Sequence, residues 1–563
     1  MRLKNLTILF LLGLFFAVPS FASIEPMIDV GLIFGKNNEY PIGINTESGI
    51  ILEIEGGQAV VDFQAVDTFR IMKLGFYTYT GDQSAYVDSN SDVYKSNRVK
   101  GGYSVDSGLS FETFELAQNE VEKRDGNFYV FYDGIYRLLI GHFVTEESAR
   151  TEMLGLQSKY PELTFTAMHL SERSLAIEAN GRTIFAYDSE RDVFFRTELF
   201  EVGSLNYRYG FKVKRLPGSD FTLINRLPMS FYLYGVLPKE MSGKWPIEAL
   251  KAQAVAARSF ALKSIGGYPE YEFDVCTTVN SQAYGGYNVE APNSNLAVDL
   301  TRGMVLTYED EIADCFYHSH SGGFTDDAGL IWHSRIPYIS PVEDVFSVVS
   351  GSPNTDWTLE LSDRDIEGAL LQAGYNIGRL SKIRILERTK SGRVVSMEFE
   401  GSFSTATLTG EAPRFALGTT VLKSMLFGFD AGKAVTEIPN QLPMPGVVMS
   451  PTTLLSSEGV YGTLLENQVV RQETSRGRLE MRLNLFNPLN PPLLSRDTVS
   501  VYEEISVRTG KVVIYGHGYG HGLGMSQWGA KKMAELGYDY ASILEHYYKD
   551  TELVADYNGR YSN

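Results

Sequence analysis

Leu237-Pro238-Lys239-Glu240-Met241, followed by Trp245-Pro246-Ile247-Glu248-Ala249-Leu250-Lys251-Ala252-Gln253-Ala254-Val255-Ala256-Ala257-Arg258, is the stretch on which the reading of this chain turns. Trp245-Pro246 marks a helix entry, because proline in the first helical turn forfeits only an N–H that has no intrahelical partner there. Alanines at 249, 252, 254, 256 and 257 leave a smooth helix, expected to run through Ser264, that neighbours can approach closely. Ahead of it, Glu240 is expected in a short turn. A lone carboxylate beside a tightly held helix is what single-group acid/base chemistry needs. The alternative is a surface glutamate before a helix, and this stretch alone does not separate the two.

Three further segments bear on the choice. They are Ser281-Gln282-Ala283-Tyr284-Gly285-Gly286, then Tyr317-His318-Ser319-His320-Ser321-Gly322-Gly323-Phe324-Thr325, then Gly516-His517-Gly518-Tyr519-Gly520-His521-Gly522-Leu523-Gly524-Met525-Ser526-Gln527-Trp528-Gly529-Ala530. Ser391-Gly392-Arg393-Val394 and Arg414-Phe415-Ala416-Leu417-Gly418 fall between them. In this order the segments resemble the stage II sporulation protein D family, also called SpoIID/LytB, over roughly residues 215 to 552. Any one of them would be weak evidence; four in order are strong.

The resemblance implies an α+β fold whose separated motifs converge on a cleft between lobes. It also implies that Glu240 is the acid/base of a lytic transglycosylase. Such an enzyme cleaves the bond between N-acetylmuramic acid and N-acetylglucosamine in peptidoglycan glycan strands without water. One carboxyl group suffices for this, whereas hydrolytic glycosidases ordinarily need two. Asp326, Asp327 and Glu248 are the other carboxylates near the motifs, with Glu248 expected on a solvated helix face. To act as an acid near neutral pH, Glu240 needs its pKa raised by apolar surroundings, which Leu237, Met241 and Trp245 can supply. A noncatalytic reading is also open: a wall-binding partner that enhances an N-acetylmuramoyl-L-alanine amidase.

Around the glutamate, Gln282 and Tyr284 suit a glycan cleft, since an amide bonds sugar hydroxyls or acetamido groups and a phenol stacks or donates. Tyr284 is equally well read as a core aromatic. Ser319 and Ser321 set hydroxyls around Gly322, which permits close backbone approach to a ligand. Arg258 either orients a carboxylate, touches a stem peptide or forms an internal salt bridge. His517 and His521 have the i, i+4 spacing of a helical zinc pair, but the glycines between them argue against a helix. A tight loop presenting backbone N–H groups and His521 is the better account, with Met525, Ser526 and Gln527 at its end and Ser526 capping the next helix. Some relatives hold zinc through Cys and His residues just before the Gln-x-Tyr motif. Here Cys276 is followed by Val279-Asn280-Ser281, and a set built from Cys276, Cys315, His318 and His320 is not favoured. No metal and no other cofactor is expected.

A chain of 563 residues has room for two to four domains. Its net charge of −19 disfavours nucleic acid as a partner. Arg2 and Lys4, the apolar run from Leu6 to Val18, and Ser20-Phe21-Ala22 read as a secretory leader over residues 1–22, with no membrane span after its removal. The expected location is therefore the periplasm or cell wall. Export would permit a Cys276–Cys315 disulfide, though two buried thiols are favoured.

Residues 23–125 read as β-rich, with strands such as Ile50-Ile51-Leu52-Glu53-Ile54 and Ala59-Val60-Val61-Asp62-Phe63. Residues 126–195 carry strands at Phe128-Tyr129-Val130-Phe131-Tyr132 and Tyr136-Arg137-Leu138-Leu139-Ile140-Gly141-His142-Phe143, then a helix capped by Thr145. This order resembles a SPOR-type peptidoglycan-binding repeat; a generic βαβ unit would share it. Residues 196–555 form the family-like region. Within it a hairpin is expected between Val298 and Tyr317, a helix near Asp363 to Ala373, and a Pro-rich insertion at about 430–500.

Overall fold

The computed structural model describes residues 25–86, 101–429 and 498–555 with short interruptions, together with a hairpin formed by Val469–Thr474 and Gly477–Arg482. Residues 1–22, read as a leader, and most of the Pro-rich interval lie outside the described residues. The fold is α+β, as expected, and its described part is organised around two main hydrophobic cores.

The larger core lies against a sheet that has fifteen strands among the described residues. Alternation builds its half-buried strands: in Ile51–Ile54 every second residue is buried. Phe128–Tyr132 is buried at all five positions, because Phe128, Val130 and Tyr132 enter the larger core while Tyr129 and Phe131 enter a smaller one on the opposite face. That explains a run of aromatics with no polar side.

The segment expected to start at residue 126 begins earlier. Tyr103–Phe111, helix Phe114–Glu122, Phe128–Tyr132, Tyr136–Phe143, helix Glu146–Lys159 and Thr166–His169 make one βαββαβ unit. Its strands lie in the order fourth, first, third, second, and all these pairs are antiparallel. Thr145 caps the second helix by accepting the Ser148 N–H. The edge strand Phe128–Tyr132 also pairs in parallel with Arg182–Asp188, so the unit merges into the large sheet.

At the other end of that sheet, Ser219–Pro228 pairs with Leu205–Leu216 and with Met27–Ile33. It runs straight into helix Met229–Glu240, whose first N–H donates to the Pro26 carbonyl at 3.0 Å. This helix is twelve residues long and so carries Glu240 about 18 Å from the sheet edge.

The alanine-rich helix spans Ile247–Lys263, with Pro246 immediately before it and Ser264 after it. Ala249, Ala252, Ala254, Ala256 and Ala257 are all fully buried. Four helices pack on it: Met229–Glu240, Pro292–Leu300, Gln527–Glu535 and Tyr540–Tyr547. Methyl side chains are what allow so many close approaches to one helix.

The smaller core belongs to a second lobe. Here Thr405–Thr409, Val394–Gly401, Leu380–Thr389 and Thr498–Ser506 form an antiparallel sheet, accompanied by helix Asp363–Gln372 with a capping box at Ser362. The hairpin read between Val298 and Tyr317 is shorter than expected. Helix Pro292–Leu300 runs through its start, so only Val305–Tyr308 and Glu311–Ile312 pair. Tyr317–His318 instead pairs in parallel with Met525–Ser526, which brings two distant motifs together. Among the described residues no helix is long and apolar enough to cross a membrane.

Candidate active site

Glu240 is the last residue of helix Met229–Glu240, not part of a turn. Pro238 costs the helix one N–H, yet the helix continues because Tyr232 through Leu237 are buried against the core and the Met241 N–H still reaches the Leu237 carbonyl at 2.9 Å. Tertiary packing thus outweighs a local breaker.

The Glu240 carboxyl is half-buried. Burial raises its pKa above the usual carboxylate value, against the lowering effects of a bond from Gln527, the Ala283 backbone N–H and the nearby Lys239 charge. The Gln527 Nε2 to Glu240 Oε2 distance is 3.2 Å. The helix C-terminus works in the same direction as burial, since its partial negative charge disfavours a carboxylate there. Leu237 and Met241 are buried beneath the site as expected. Trp245 is only partly buried and meets Trp528 edge to face at 5.0 Å.

Ser281 to Gly286 positions the glutamate from behind. Gln282 is 2% exposed, which corrects its reading as a sugar contact. Its Oε1 accepts from Tyr232 Oη at 3.1 Å, and its Nε2 donates to Tyr317 Oη at 2.8 Å and the Ala257 carbonyl at 3.3 Å. Tyr284 is the core aromatic of its two readings. It is buried, and its Oη donates to Asn225 Oδ1 at 2.8 Å, while Asn225 Nδ2 holds the Arg208 and Gly210 carbonyls.

Arg258 is also withdrawn from any ligand. It is buried and donates to the Met304 and Val298 carbonyls, tying the scaffold helix to helix Pro292–Leu300. It makes no ion pair among the described residues, so neither the carboxylate-orienting nor the salt-bridge reading holds.

The 317–325 and 516–530 motifs hold each other. His320 and Tyr519 exchange backbone bonds of 3.0 and 2.8 Å, and the Trp528 N–H donates to the Ser319 carbonyl at 3.1 Å. Ser319 is half-buried. Ser321 is fully buried and donates to Asp344 Oδ2 at 2.7 Å, so it serves the interior and not a ligand. Gly322 sits at φ +81°, and a Cβ there would lie 2.7 Å from the Leu426 side chain and 3.1 Å from the His517 carbonyl carbon. The close approach it permits is to the protein's own loop.

His517 ends strand Lys511–His517 and pairs with Asp356 at 2.7 Å, and Gly518, Gly520, Gly522 and Gly524 follow at positive φ. The segment is therefore a loop, as its glycines predict. His521 is committed at both nitrogens: Nδ1 accepts the Leu523 N–H and Nε2 donates to the Tyr317 carbonyl, each at 3.0 Å. Burial pushes its pKa down to about 3, so it is neutral. His521 therefore braces the Tyr317 backbone instead of facing a substrate. Met525 is fully buried in the core, a further departure from the expected set of ligand contacts. Ser526 caps helix Gln527–Glu535 by accepting the Gly529 N–H at 3.2 Å, and also accepts from Ser321 N–H. Of the motif side chains expected at the ligand, Gln527 is the one in contact with Glu240.

The other carboxylates have structural duties. Asp326 is fully buried against Arg393 at 3.3 Å and accepts from Ser391 and Thr389. Asp327 caps helix Ala328–Ile331. Glu248 is not a freely solvated residue: it pairs with Lys251 and accepts the Tyr540 N–H at the start of helix Tyr540–Tyr547. Both cysteines are free and buried. Cys276 packs with Ile224 and Phe273, and burial raises its pKa, but hydrogen bonds from Ser281, Thr278 and Tyr268 outweigh this and lower it. Cys315 lies in the larger core, where burial pushes its pKa up. His318 Nδ1 is held by the Leu523 carbonyl and His320 Nε2 by the Ser347 carbonyl.

Residues 218–308 match the family model described as SpoIID, Stage II sporulation protein. The matched segment includes Glu240, Arg258, Gln282 and Tyr284. The chain is 31% identical over 333 residues to a protein of Bacillus subtilis (strain 168) named amidase enhancer; the match covers 57% of this chain but only 40% of that relative. It is 26% identical over 401 residues to an uncharacterized protein of Brachyspira hyodysenteriae, covering 70% of this chain and 84% of the relative. It is 22% identical over 345 residues to Stage II sporulation protein D of Bacillus subtilis, covering 59% of this chain and 75% of the relative. Residues 218–308 thus match the SpoIID family model, and over more than half of its length the chain is similar to proteins that include a Stage II sporulation protein D and an amidase enhancer.

Proposed function

We propose that this protein is an exported peptidoglycan lytic transglycosylase in which Glu240 is the sole acid/base. The observation that carries the reading is the chemistry around that carboxyl: its pKa is raised by burial, and its hydrogen-bond partners are two neutral donors, Gln527 and the Ala283 N–H. A carboxyl so placed has its protonated form favoured and, being only half-buried, remains reachable. Asp326, Asp327 and Glu248 are tied up in structural bonds, which weighs against a two-carboxylate hydrolysis.

In the step proposed, the Glu240 proton passes to the glycosidic oxygen as the bond from muramoyl C1 breaks. The carboxylate then accepts the proton of the muramoyl 6-hydroxyl as its oxygen bonds C1 and closes an anhydro ring. Glu240 ends protonated, as it began, and no water is consumed. Trp245 and Trp528, partly exposed and packed edge to face, with Trp528 next in sequence to Gln527, are suited to stacking on pyranose rings. The βαββαβ unit is proposed as a wall-binding module, continuing its resemblance to SPOR repeats.

Mass spectrometry of purified peptidoglycan tests the reading. Anhydromuramoyl ends from the wild type, absent with Glu240→Gln, are expected; reducing ends would mean hydrolysis. A second reading rests on the amidase-enhancer relative: binding to the wall and stimulating a cell-wall amidase without cutting glycan. Stimulation of an added amidase to the same extent by wild type and Glu240→Gln, with no glycan product from either, would favour it.

A further inference from the structure

Tyr317 reaches Glu240 by two routes that share no residue. Its Oη accepts from Gln282 Nε2, and the next residue, Ala283, gives its N–H to the Glu240 carboxylate. Its backbone pairs with Met525, and Gln527, two residues on, donates to the same carboxylate. The His521 ring fixes the Tyr317 carbonyl from the other side.

The protons along this chain run one way. The Ala257 carbonyl can only accept, so the Gln282 amide must present its NH2 end there, and its two protons go to Ala257 and Tyr317. The amide oxygen then takes the proton of Tyr232. Tyr232 thus spends its proton inside the protein, where it is fully buried. Tyr317 receives a proton from Gln282 and keeps its own, and among the described residues that proton meets no acceptor. Tyr317 is also the partly exposed member of the pair.

We infer that Tyr317 is a substrate-binding residue, whose hydroxyl donates to an oxygen of the sugar held against Glu240, with Gln282 and Tyr232 setting the direction of that bond. Its role rests on the glycan-cleaving reading of Glu240. It was missed in the sequence because a tyrosine opening a motif carries no sign of which way its hydroxyl points.

The test is binding of a β-1,4 N-acetylglucosamine hexamer to full-length Glu240→Gln, which holds the ligand uncut, by calorimetry. Adding Tyr317→Phe should weaken binding about ten-fold, the worth of one neutral hydrogen bond. Tyr232→Phe, which strips Gln282 of its other hydroxyl, should cost no more than about three-fold. Tyr187→Phe, removing a buried hydroxyl bonded to the Val213 carbonyl in the large sheet, should change nothing. A second measurement needs no substitution: the hexamer should protect Tyr317 from nitration by tetranitromethane, read by peptide mass spectrometry. Unchanged affinity in Tyr317→Phe, an equal loss in Tyr232→Phe, or absence of protection would each overturn the assignment while leaving the Glu240 reading intact. A Glu240→Gln parent that binds no hexamer would sink both.

Discussion

Two carboxyls, the half-buried Glu240 and the fully buried Asp326, sit at or beside the motifs, and both have pKa values raised by burial. Asp326 faces the Arg393 guanidinium and two hydroxyls, sealed from water. Arg393 also donates to the Ser321 carbonyl, so the pair ties the second lobe's sheet to the motif loops. Among the described residues Glu240 has an amide and a backbone N–H as its hydrogen-bond partners, and it is only half-buried. A charged partner and hydrogen bonds to both carboxylate oxygens hold a fold together, whereas neutral partners and access leave a proton available. Partner chemistry, more than motif membership or a shifted pKa, separates the two.

The largest effect that would break this contrast is on Glu240 itself. Glu240→Gln should lower glycan cleavage by about 10²–10⁴-fold, the usual worth of a positioned general acid. It should not destabilise the protein. The folded-state pKa is raised, so the wild type binds more protons folded than unfolded and loses stability as pH rises through that folded value. The variant should therefore melt above the wild type at neutral pH, and the gap should close as pH falls toward 4.5, the ordinary glutamate value.

Arg393→Met should have the opposite profile. Leaving Asp326 buried and unpaired should cost about 3–5 kcal/mol in urea denaturation, and Arg393→Met with Asp326→Leu should recover much of it. A smaller test concerns Ser321. Ser321→Ala should cost about 1–3 kcal/mol by depriving buried Asp344 of a donor, with KM unchanged, because Ser321 faces the interior. A KM rise without loss of stability would restore it to the ligand.

Gln527 offers the finest discrimination. Its bond lowers the Glu240 pKa, so Gln527→Leu should raise it further. The high-pH limb of the cleavage profile, where the acid form is lost, should then move upward. A downward or absent shift would show that Gln527 serves the substrate alone.

The local features were legible in the sequence. Pro246 before the alanine helix, Thr145 and Ser526 as caps, the helix at Asp363–Gln372 and the glycine loop after His517 all follow from short-range rules. These depend on dihedral preferences and on donors within a turn of the residue concerned. Tertiary structure alone decided which way the motif side chains point. Gln282 turns inward to Tyr232 and Tyr317, Arg258 caps carbonyls, Ser321 serves Asp344, and Met525 fills the core. Glu240 stays helical past Pro238 because the buried face from Tyr232 to Leu237 outweighs one lost hydrogen bond. The βαββαβ unit starts at Tyr103 because Tyr136–Phe143 and Thr166–His169 pair with that strand from further along the chain. The partners in these cases come from other elements, up to some two hundred residues away, as when Tyr317 pairs with Met525. Local propensity carries no information about them, and burial energy does the choosing.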